Sequence, residues 1–155
     1  MKLQRVLIGL ALVAGVTAGA RQVPEQYPAP VVLNHTLTPG AILTSDEKVV
    51  CSPGYAKSVR DVPDDLRTAA FRNYGLRRPT NYEGRYEVDH LISLELGGSN
   101  ALTNLWPEPA PEYKQKDKIE NAAHRAVCSG KMKLIDAQFK ISQDWRALGQ
   151  ELGVK

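Results

Sequence analysis

The sequence predicts an α+β domain, with a compact strand–turn–strand–helix core, flanking helices and an extended N-terminal arm. A run rich in Val, Ile, Leu and Tyr, RYEVDHLISLEL at 85–96, precedes the turn-forming Gly-Gly-Ser-Asn at 97–100. Helical periodicity of apolar residues follows over 111–127 and again over 134–152. With 155 residues, 43% of them hydrophobic and 24% charged, the chain has room for one domain with a modest core.

Residues 1–20 are predicted to be a secretory signal peptide. Two basic residues precede an apolar run over 6–16, and the Ala-Gly-Ala triplet at 18–20 fits a cleavage site. The apolar run is shorter than the roughly 20 residues that a membrane-spanning helix needs, so an uncleaved anchor is the weaker alternative. We therefore expect a mature chain that begins at Arg21, is periplasmic or secreted, and has no stable insertion in the membrane.

Export changes what the charges and the cysteines indicate. The signal peptide carries two of the 20 basic residues and no acidic residue, which leaves 18 basic against 17 acidic residues in the mature chain. Net charge therefore gives no argument for nucleic-acid binding, and only a local patch could provide one. In an oxidising compartment we expect Cys51 and Cys128 to form a disulfide, with two unpaired buried thiols as the alternative.

The mature chain is predicted to divide into an extended arm or linker at 21–45 and a domain at 46–155. The arm begins with RQVPEQYPAPV, which has three prolines and little periodicity. Its second half, from residue 31, could hold a short strand or two around a Pro-Gly turn.

The first helix is predicted between Pro63 and Gly75. Proline suits the first helical position, the two aspartates that follow suit the positive end of the helix dipole, and glycine suits the stop. Three arginines lie at the C-terminal end, namely Arg72, Arg77 and Arg78. Compensation of the helix dipole and a patch that contacts phosphates are equally good interpretations of these arginines.

Two further helices are predicted downstream. The helix at 111–127 opens with Pro111 and is closed by Gly130. Its apolar stripe is formed by Ile119, Ala122, Ala123 and Ala126. Another face carries Asp117, Glu120, Asn121 and His124. The last helix, over 134–152, is expected to direct Ala137, Ile141, Trp145 and Leu148 inward.

The segment between these helices carries groups suited to hydrolytic chemistry. A strand ends in Asp89-His90, a return segment over 102–106 contains Asn104, and a helix with carboxylates follows. The side chains of Asp89 and His90 point to opposite faces while the strand stays regular, so a bend is needed before both can act on one substrate. Carboxylates can hold a hard divalent cation, a neutral histidine can deprotonate water, and together they can cleave a phosphodiester.

The run YEVDHLISLELGGSNALTNLWP at 86–107 resembles the HNH (His-Asn-His) nucleases, which have a ββα-metal fold. Within that family it is similar to small exported bacterial proteins. The similarity extends over about residues 51 to 145, because CSPGY, KDKIEN, VCSG and DW also fit that group. Asp-His alone is a weak signal, but Asp-His with Gly-Gly and an Asn-Leu fourteen positions after the histidine is a specific one.

The resemblance implies roles for three residues: His90 as general base, Asp89 as a metal ligand, and Asn104 as the brace of the hairpin and of His90. The family's third motif position falls here on Tyr113 and Lys114, which are poor ligands for a hard cation. We therefore expect the ligand to come from the helix, with Asp117 as first choice and Asn121 as second. The implied cofactor is a divalent metal, first of all Mg²⁺, with Mn²⁺, Ca²⁺, Zn²⁺ and Ni²⁺ as alternatives.

The resemblance further implies an endonuclease that acts on DNA, with RNA as an additional substrate class, and leaves a 5′-phosphate and a 3′-hydroxyl. The candidate phosphate contacts are Arg60, Arg72, Arg77, Arg78 and Lys118. The departure at the third motif position motivates a rival function, a secreted binding or structural domain on an HNH scaffold without catalysis. The sequence leaves the oligomeric state open. We expect Trp106 and Trp145 to pack in the core rather than stack on bases.

Overall fold

The computed structural model describes residues 31–78, 85–110 and 112–155. The predicted signal peptide, the first part of the predicted arm at 21–30 and the predicted helix-opening Pro111 lie outside the described residues. The elements are α1 (Glu47–Val50), α2 (Tyr55–Val59), α3 (Asp64–Asn73), β1 (Tyr86–His90), β2 (Leu105–Pro109), α4 (Glu112–Cys128) and α5 (Leu134–Glu151). The α+β class predicted from the sequence is confirmed.

Strands β1 and β2 form an antiparallel pair in which Tyr86 lies opposite Pro109 and His90 opposite Leu105. The first strand is shorter than the predicted run to residue 96, because the backbone leaves the ladder after His90. The side chain of Asn104 binds both the N–H and the C=O of Ile92, and Leu94–Leu96 forms a 3₁₀ turn. The strands are therefore joined by a fourteen-residue connection, over 91–104, which is longer than the turn or loop predicted around 97–100.

Among the described residues, the buried apolar side chains form two clusters. One joins α4 and α5 to the connection, with Ile119, Ala123, Ile141, Trp145 and Leu148 among its members. The other packs α3 against the hairpin, with Phe71, Val88, Leu105 and Trp106 among its members. The predicted inward residues of α5 are all buried, and both tryptophans lie in the core as predicted.

Two close contacts hold α4 in place. A Cβ at Gly149 of α5 would lie 2.4 Å from Cδ1 of Ile119, so the absence of a side chain there allows the two helices to approach. At the C-terminal end of α4 a disulfide joins Cys128 to Cys51, which lies 77 positions earlier in the chain, with Cα atoms 5.6 Å apart. The cysteine pairing expected from the sequence is therefore present.

The described part of the predicted arm, 31–45, contains a turn at 35–37 and packs on the domain. The N–H groups of Gly40 and Leu43 donate to the C=O groups of Thr103 and Gly97, at 3.0 and 2.8 Å. Ile42 also forms an isolated antiparallel bridge with Gly98. The packed unit thus includes residue 31 onward, rather than beginning at the predicted boundary of 46. In the part of the chain that the structure describes, no helix has the length and apolar character needed to cross a membrane.

Candidate active site

The last two residues of strand β1, Asp89 and His90, face opposite sides of the sheet. Burial alternates along the strand, with Tyr86, Val88 and His90 buried and Glu87 exposed. Asp89 therefore shares a face with Glu87, while His90 lies on the other face. The bend that would bring both side chains to one substrate is not present at this dipeptide.

The ring of His90 is held by a residue that the sequence analysis did not single out. Its Nε2 lies 2.9 Å from Oδ1 of Asn100, and the amide nitrogen of Asn100 donates to the C=O of Val59 at 2.7 Å. Because that second bond fixes which end of the amide is the oxygen, Nε2 must carry the hydrogen and donate it. A neutral His90 then has its lone pair on Nδ1, which has no hydrogen-bond partner among the described residues.

Burial also sets the charge of His90. The residue is 2% exposed, and this loss of solvent lowers the pKa of the imidazole below its ordinary 6.5. The hydrogen bond to Asn100 and the charge of Asp89 oppose that shift without cancelling it, while Arg60 and Lys116 add to it. The ring is therefore neutral at pH 7, which is the form that can accept a proton.

Asn104 is buried and holds the connection between the strands. Its Nδ2 donates to the C=O groups of Ile92 and Ser99 at 2.9 and 2.8 Å, and its Oδ1 accepts from the N–H of Ile92 at 2.9 Å. Gly98 allows this packing, because a Cβ there would lie 1.8 Å from the C=O oxygen of Ile92. Asn104 thus lies where a brace of the hairpin is needed, but the ring of His90 is held by Asn100.

The other face of β1 contains a buried ion pair. Nζ of Lys116 lies 2.6 Å from Oδ2 of Asp89 and 2.7 Å from the C=O oxygen of His90, and it also contacts Oε1 of Glu120. The lysine is 0% exposed, whereas 15% of the Asp89 side chain is exposed. Burial alone would raise the pKa of Asp89, but the ammonium outweighs it and holds that pKa below its ordinary value.

Two more carboxyl groups complete this ionic cluster, which we define as Asp89, Glu108, Lys116 and Glu120. Burial, followed by the charge of Asp89, raises the pKa of Glu108 to about 10. An ionised Glu108 would have no hydrogen-bond donor for either buried oxygen, whereas a protonated Glu108 can donate to Asp89. Burial likewise raises the pKa of Glu120 to about 8, against the opposing charge of Lys116. At neutral pH Asp89 therefore supplies the charge that balances Lys116.

The residues predicted as further metal ligands do not join Asp89 in a binding set. Asp117 and Asn121 are exposed on α4, and the amide nitrogen of Asn121 donates at 2.7 Å to the C=O of Asp117 in its own helix. The oxygen atoms around Asp89 have the chemistry of a hard-cation site, but they surround an ammonium group at hydrogen-bond distances. Mg²⁺ prefers oxygen ligands at about 2.0–2.1 Å. The donor set as arranged does not fit this ion.

One other group has metal-ligating chemistry. Among the described residues, Cys51, His124 and Cys128 form the only set of three or more histidine, cysteine or acidic side chains whose ligand atoms lie within 4.8 Å of one another. The two sulfur atoms are bonded to each other, and thiolates are the form in which cysteine binds metals. The intact disulfide therefore removes two of the three ligands.

The predicted phosphate contacts differ in availability. Arg60, Arg72, Arg77 and Lys118 are exposed. Arg60 lies close enough to His90 for its charge to act on the pKa of that ring. Arg78 instead donates to Oδ1 of Asp64 at 2.6 Å, at the first turn of α3. The interpretation of Arg78 as a partner for the C-terminal end of that helix is wrong, because its side chain reaches the opposite end.

Sequence reasoning missed Asn100, Glu108 and Lys116. Asn100 ends the Gly-Gly-Ser-Asn segment, where its sequence context indicates only a turn residue. Lys116 had a detectable signal, since it precedes Ile119 by three positions and Ala123 by seven and so lies on the buried stripe of α4. A lysine on such a stripe requires a buried acidic partner, which is Asp89.

Comparisons of the chain with protein-family models, with curated proteins and with solved structures found no significant match.

Proposed function

We propose that this protein hydrolyses phosphodiester bonds in nucleic acids as an HNH-type endonuclease, with β1, β2 and α4 as its ββα scaffold and His90 as its general base. The observation that carries this proposal is the fixed ring of His90. Asn100 occupies Nε2, the lowered pKa keeps the ring neutral, and Nδ1 has a lone pair to accept a proton. The HNH resemblance of the surrounding sequence supplies the reaction class.

In the proposed reaction, Nδ1 of His90 takes a proton from a water molecule whose oxygen attacks phosphorus. The bond from phosphorus to the 3′ oxygen breaks, that oxygen takes a proton from a solvent water molecule, and the protonated His90 returns its proton to solvent. The products are a 5′-phosphate and a 3′-hydroxyl. The exposed Arg60, whose charge reaches His90, is our first candidate to bind the phosphate. No step is assigned to a divalent metal, because the oxygen atoms around Asp89 are bound to Lys116.

The substrate is proposed to be DNA, with RNA as the second class, and the exposed Arg72, Arg77 and Lys118 are candidate backbone contacts. Because His90 is 2% exposed, the proposed reaction requires that both the attacking water and the substrate phosphate gain access to Nδ1. We also propose export to the periplasm or the medium. The disulfide between Cys51 and Cys128 is compatible with an oxidising compartment.

Nicking of supercoiled plasmid by the oxidised mature protein tests the proposal. His90→Ala should reduce the cleavage rate by about 10²–10⁴-fold, the range for loss of a general base. The matched control is His35→Ala, which removes an exposed histidine and should leave the rate unchanged. Equal nicking by the wild type and His90→Ala, each purified to constant specific activity, would contradict the proposed role of His90.

The second candidate function is a secreted binding or structural domain on a non-catalytic HNH scaffold. The observation that favours it is the ionic cluster, where a buried lysine satisfies the carboxylate that the resemblance implies for a metal. Such a domain would bind nucleic acid with strong salt dependence. It would release no cleaved product, and His90→Ala would bind as well as the wild type.

A further inference from the structure

The ammonium group of Lys116 has a complete set of oxygen partners. An ammonium has three hydrogens to donate, and Nζ has three acceptors, on Asp89, on Glu120 and on the backbone of His90. The oxygen atoms of two carboxyl groups and a backbone C=O are also of the kind that a hard divalent cation prefers as ligands. Nζ therefore lies at the point where a cation bound by these oxygen atoms would lie.

The lysine is fixed in this position by the way α4 packs. Lys116 shares the buried stripe of the helix with Ile119, Ala123 and Val127, and it is 0% exposed. Its stem is enclosed, so the ammonium cannot turn into solvent while the helix remains packed. A metal ion that approached Asp89 would have to displace a buried positive charge or bind beside it, and both are unfavourable.

We propose that Lys116 is the resident cation of this site, in the place that the HNH resemblance implies for a divalent metal, so that the folded protein binds no divalent metal through Asp89. Removal of the ammonium should turn this cluster into a binding site for a divalent cation. Without it Asp89 and Glu120 face a space with no positive charge, and a divalent cation can then bind between them. The proposed nuclease activity should consequently persist in EDTA. This last consequence alone rests on the proposed function.

Binding of Mn²⁺, followed by the electron paramagnetic resonance of the free ion, tests this inference without an activity assay. The oxidised wild type should retain no Mn²⁺ beyond what Asp89→Asn retains. Lys116→Met, which keeps the apolar stem and removes the charge, should bind one ion per chain, and the double variant Lys116→Met/Asp89→Asn should lose it. Lys118→Met is the matched control, because it removes an exposed lysine from the same helix and should gain no site.

An ion bound by the wild type and lost in Asp89→Asn would overturn the proposal, as would failure of Lys116→Met to gain one. Thermal unfolding gives a second measurement in case Lys116→Met is unstable. Added Mn²⁺ should raise the Tm of Lys116→Met and leave the wild-type Tm unchanged. A variant that stays unfolded with Mn²⁺ present also counts against the proposal. Plasmid nicking in EDTA is a separate experiment. If the protein cleaves plasmid in no buffer, the proposed function is contradicted, but the result on metal binding still stands.

Discussion

The two faces of β1 stabilise buried polar groups in opposite ways. On one face His90 is neutral, and a short chain of hydrogen bonds runs from its ring through Asn100 to the backbone of Val59. On the other face Asp89 is charged and belongs to the ionic cluster, where Lys116 contacts two carboxyl groups and a backbone oxygen. Adjacent residues of one strand thus lie in a neutral network and in an ionic one.

This difference separates reactivity from structural support. The neutral network uses one nitrogen of the ring and leaves the other free, so it orients a base without a counter-charge. In the ionic cluster every hydrogen of the ammonium has an acceptor, so little capacity remains to bind a substrate or an ion. We therefore expect changes on the His90 face to alter catalysis and changes on the Asp89 face to alter stability.

The largest stability effect should come from Asp89→Ala. This change removes the ionised partner of a lysine that cannot reach solvent, and loss of one member of a buried ion pair costs about 3–5 kcal/mol. Urea unfolding of the oxidised protein measures it. The control is Asp61→Ala, which removes an exposed aspartate outside the ionic cluster and for which we expect a change within about 0.5 kcal/mol. A loss below about 1 kcal/mol for Asp89→Ala would mean that Glu108 and Glu120 can ionise and replace it.

A smaller effect, with a definite dependence on pH, is expected for Glu108→Gln. Between the ordinary pKa of 4.5 and the folded value of about 10, the folded protein keeps the proton of Glu108 while the unfolded chain releases it. The stability of the wild type therefore falls as pH rises through that window. Glutamine cannot ionise, so the variant should match the wild type below pH 4.5 and exceed it by roughly 1–3 kcal/mol at pH 7.

Thermal or urea unfolding at several pH values measures this difference. Glu87→Gln is a matched control, because Glu87 lies directly opposite Glu108 in the ladder but is exposed, and it should show a much smaller pH-dependent gain. A Glu108→Gln variant less stable than the wild type at every pH would show that the carboxyl group makes a contact that an amide cannot replace.

The three longer helices, α3, α4 and α5, and the start of the hairpin were predictable because their signals are local, whereas the short helices α1 and α2 were not predicted. Pro63, the acidic first turn and Gly75 bound α3 within a residue or two of the prediction, and the inward positions of α5 follow the helical period. The connection at 91–104 was not predictable in the same way. Its path depends on bonds from Asn104 to Ile92 and on the close approach of Gly98, which no periodic pattern encodes.

The residues of the candidate site differ in the same way, since some are indicated by local sequence and others only by tertiary contacts. Asp89, His90 and Asn104 were identified by a contiguous motif. Lys116 and Asp89 are 27 positions apart, and their contact exists only when α4 packs on the sheet. Asn100 is ten positions from His90, across an irregular connection. Partners of this kind depend on tertiary packing, so a sequence can indicate that a buried charge needs a partner without showing which one it has.

The smallest effect is expected on the neutral face, for Asn100→Asp. The substitution keeps an oxygen acceptor beside the Nε2–H group but removes the amide nitrogen that donates to the C=O of Val59. The added negative charge favours the imidazolium, so it should raise the pKa of His90 by about one unit. Activity that needs the neutral ring should then be lost at a higher pH, and the acidic limb of the pH–rate profile should move upward by the same amount. Titration by NMR reads the same pKa without activity, and the signal of His90, one of three histidines, is assigned by its loss in His90→Ala.

Ser99→Asp is the control, because it places an equal charge one residue away without the contact to Nε2. If Ser99→Asp shifts the pKa of His90 as much as Asn100→Asp does, the shift comes from added negative charge near the ring. The proposal that Asn100 acts through its contact with Nε2 would then be wrong.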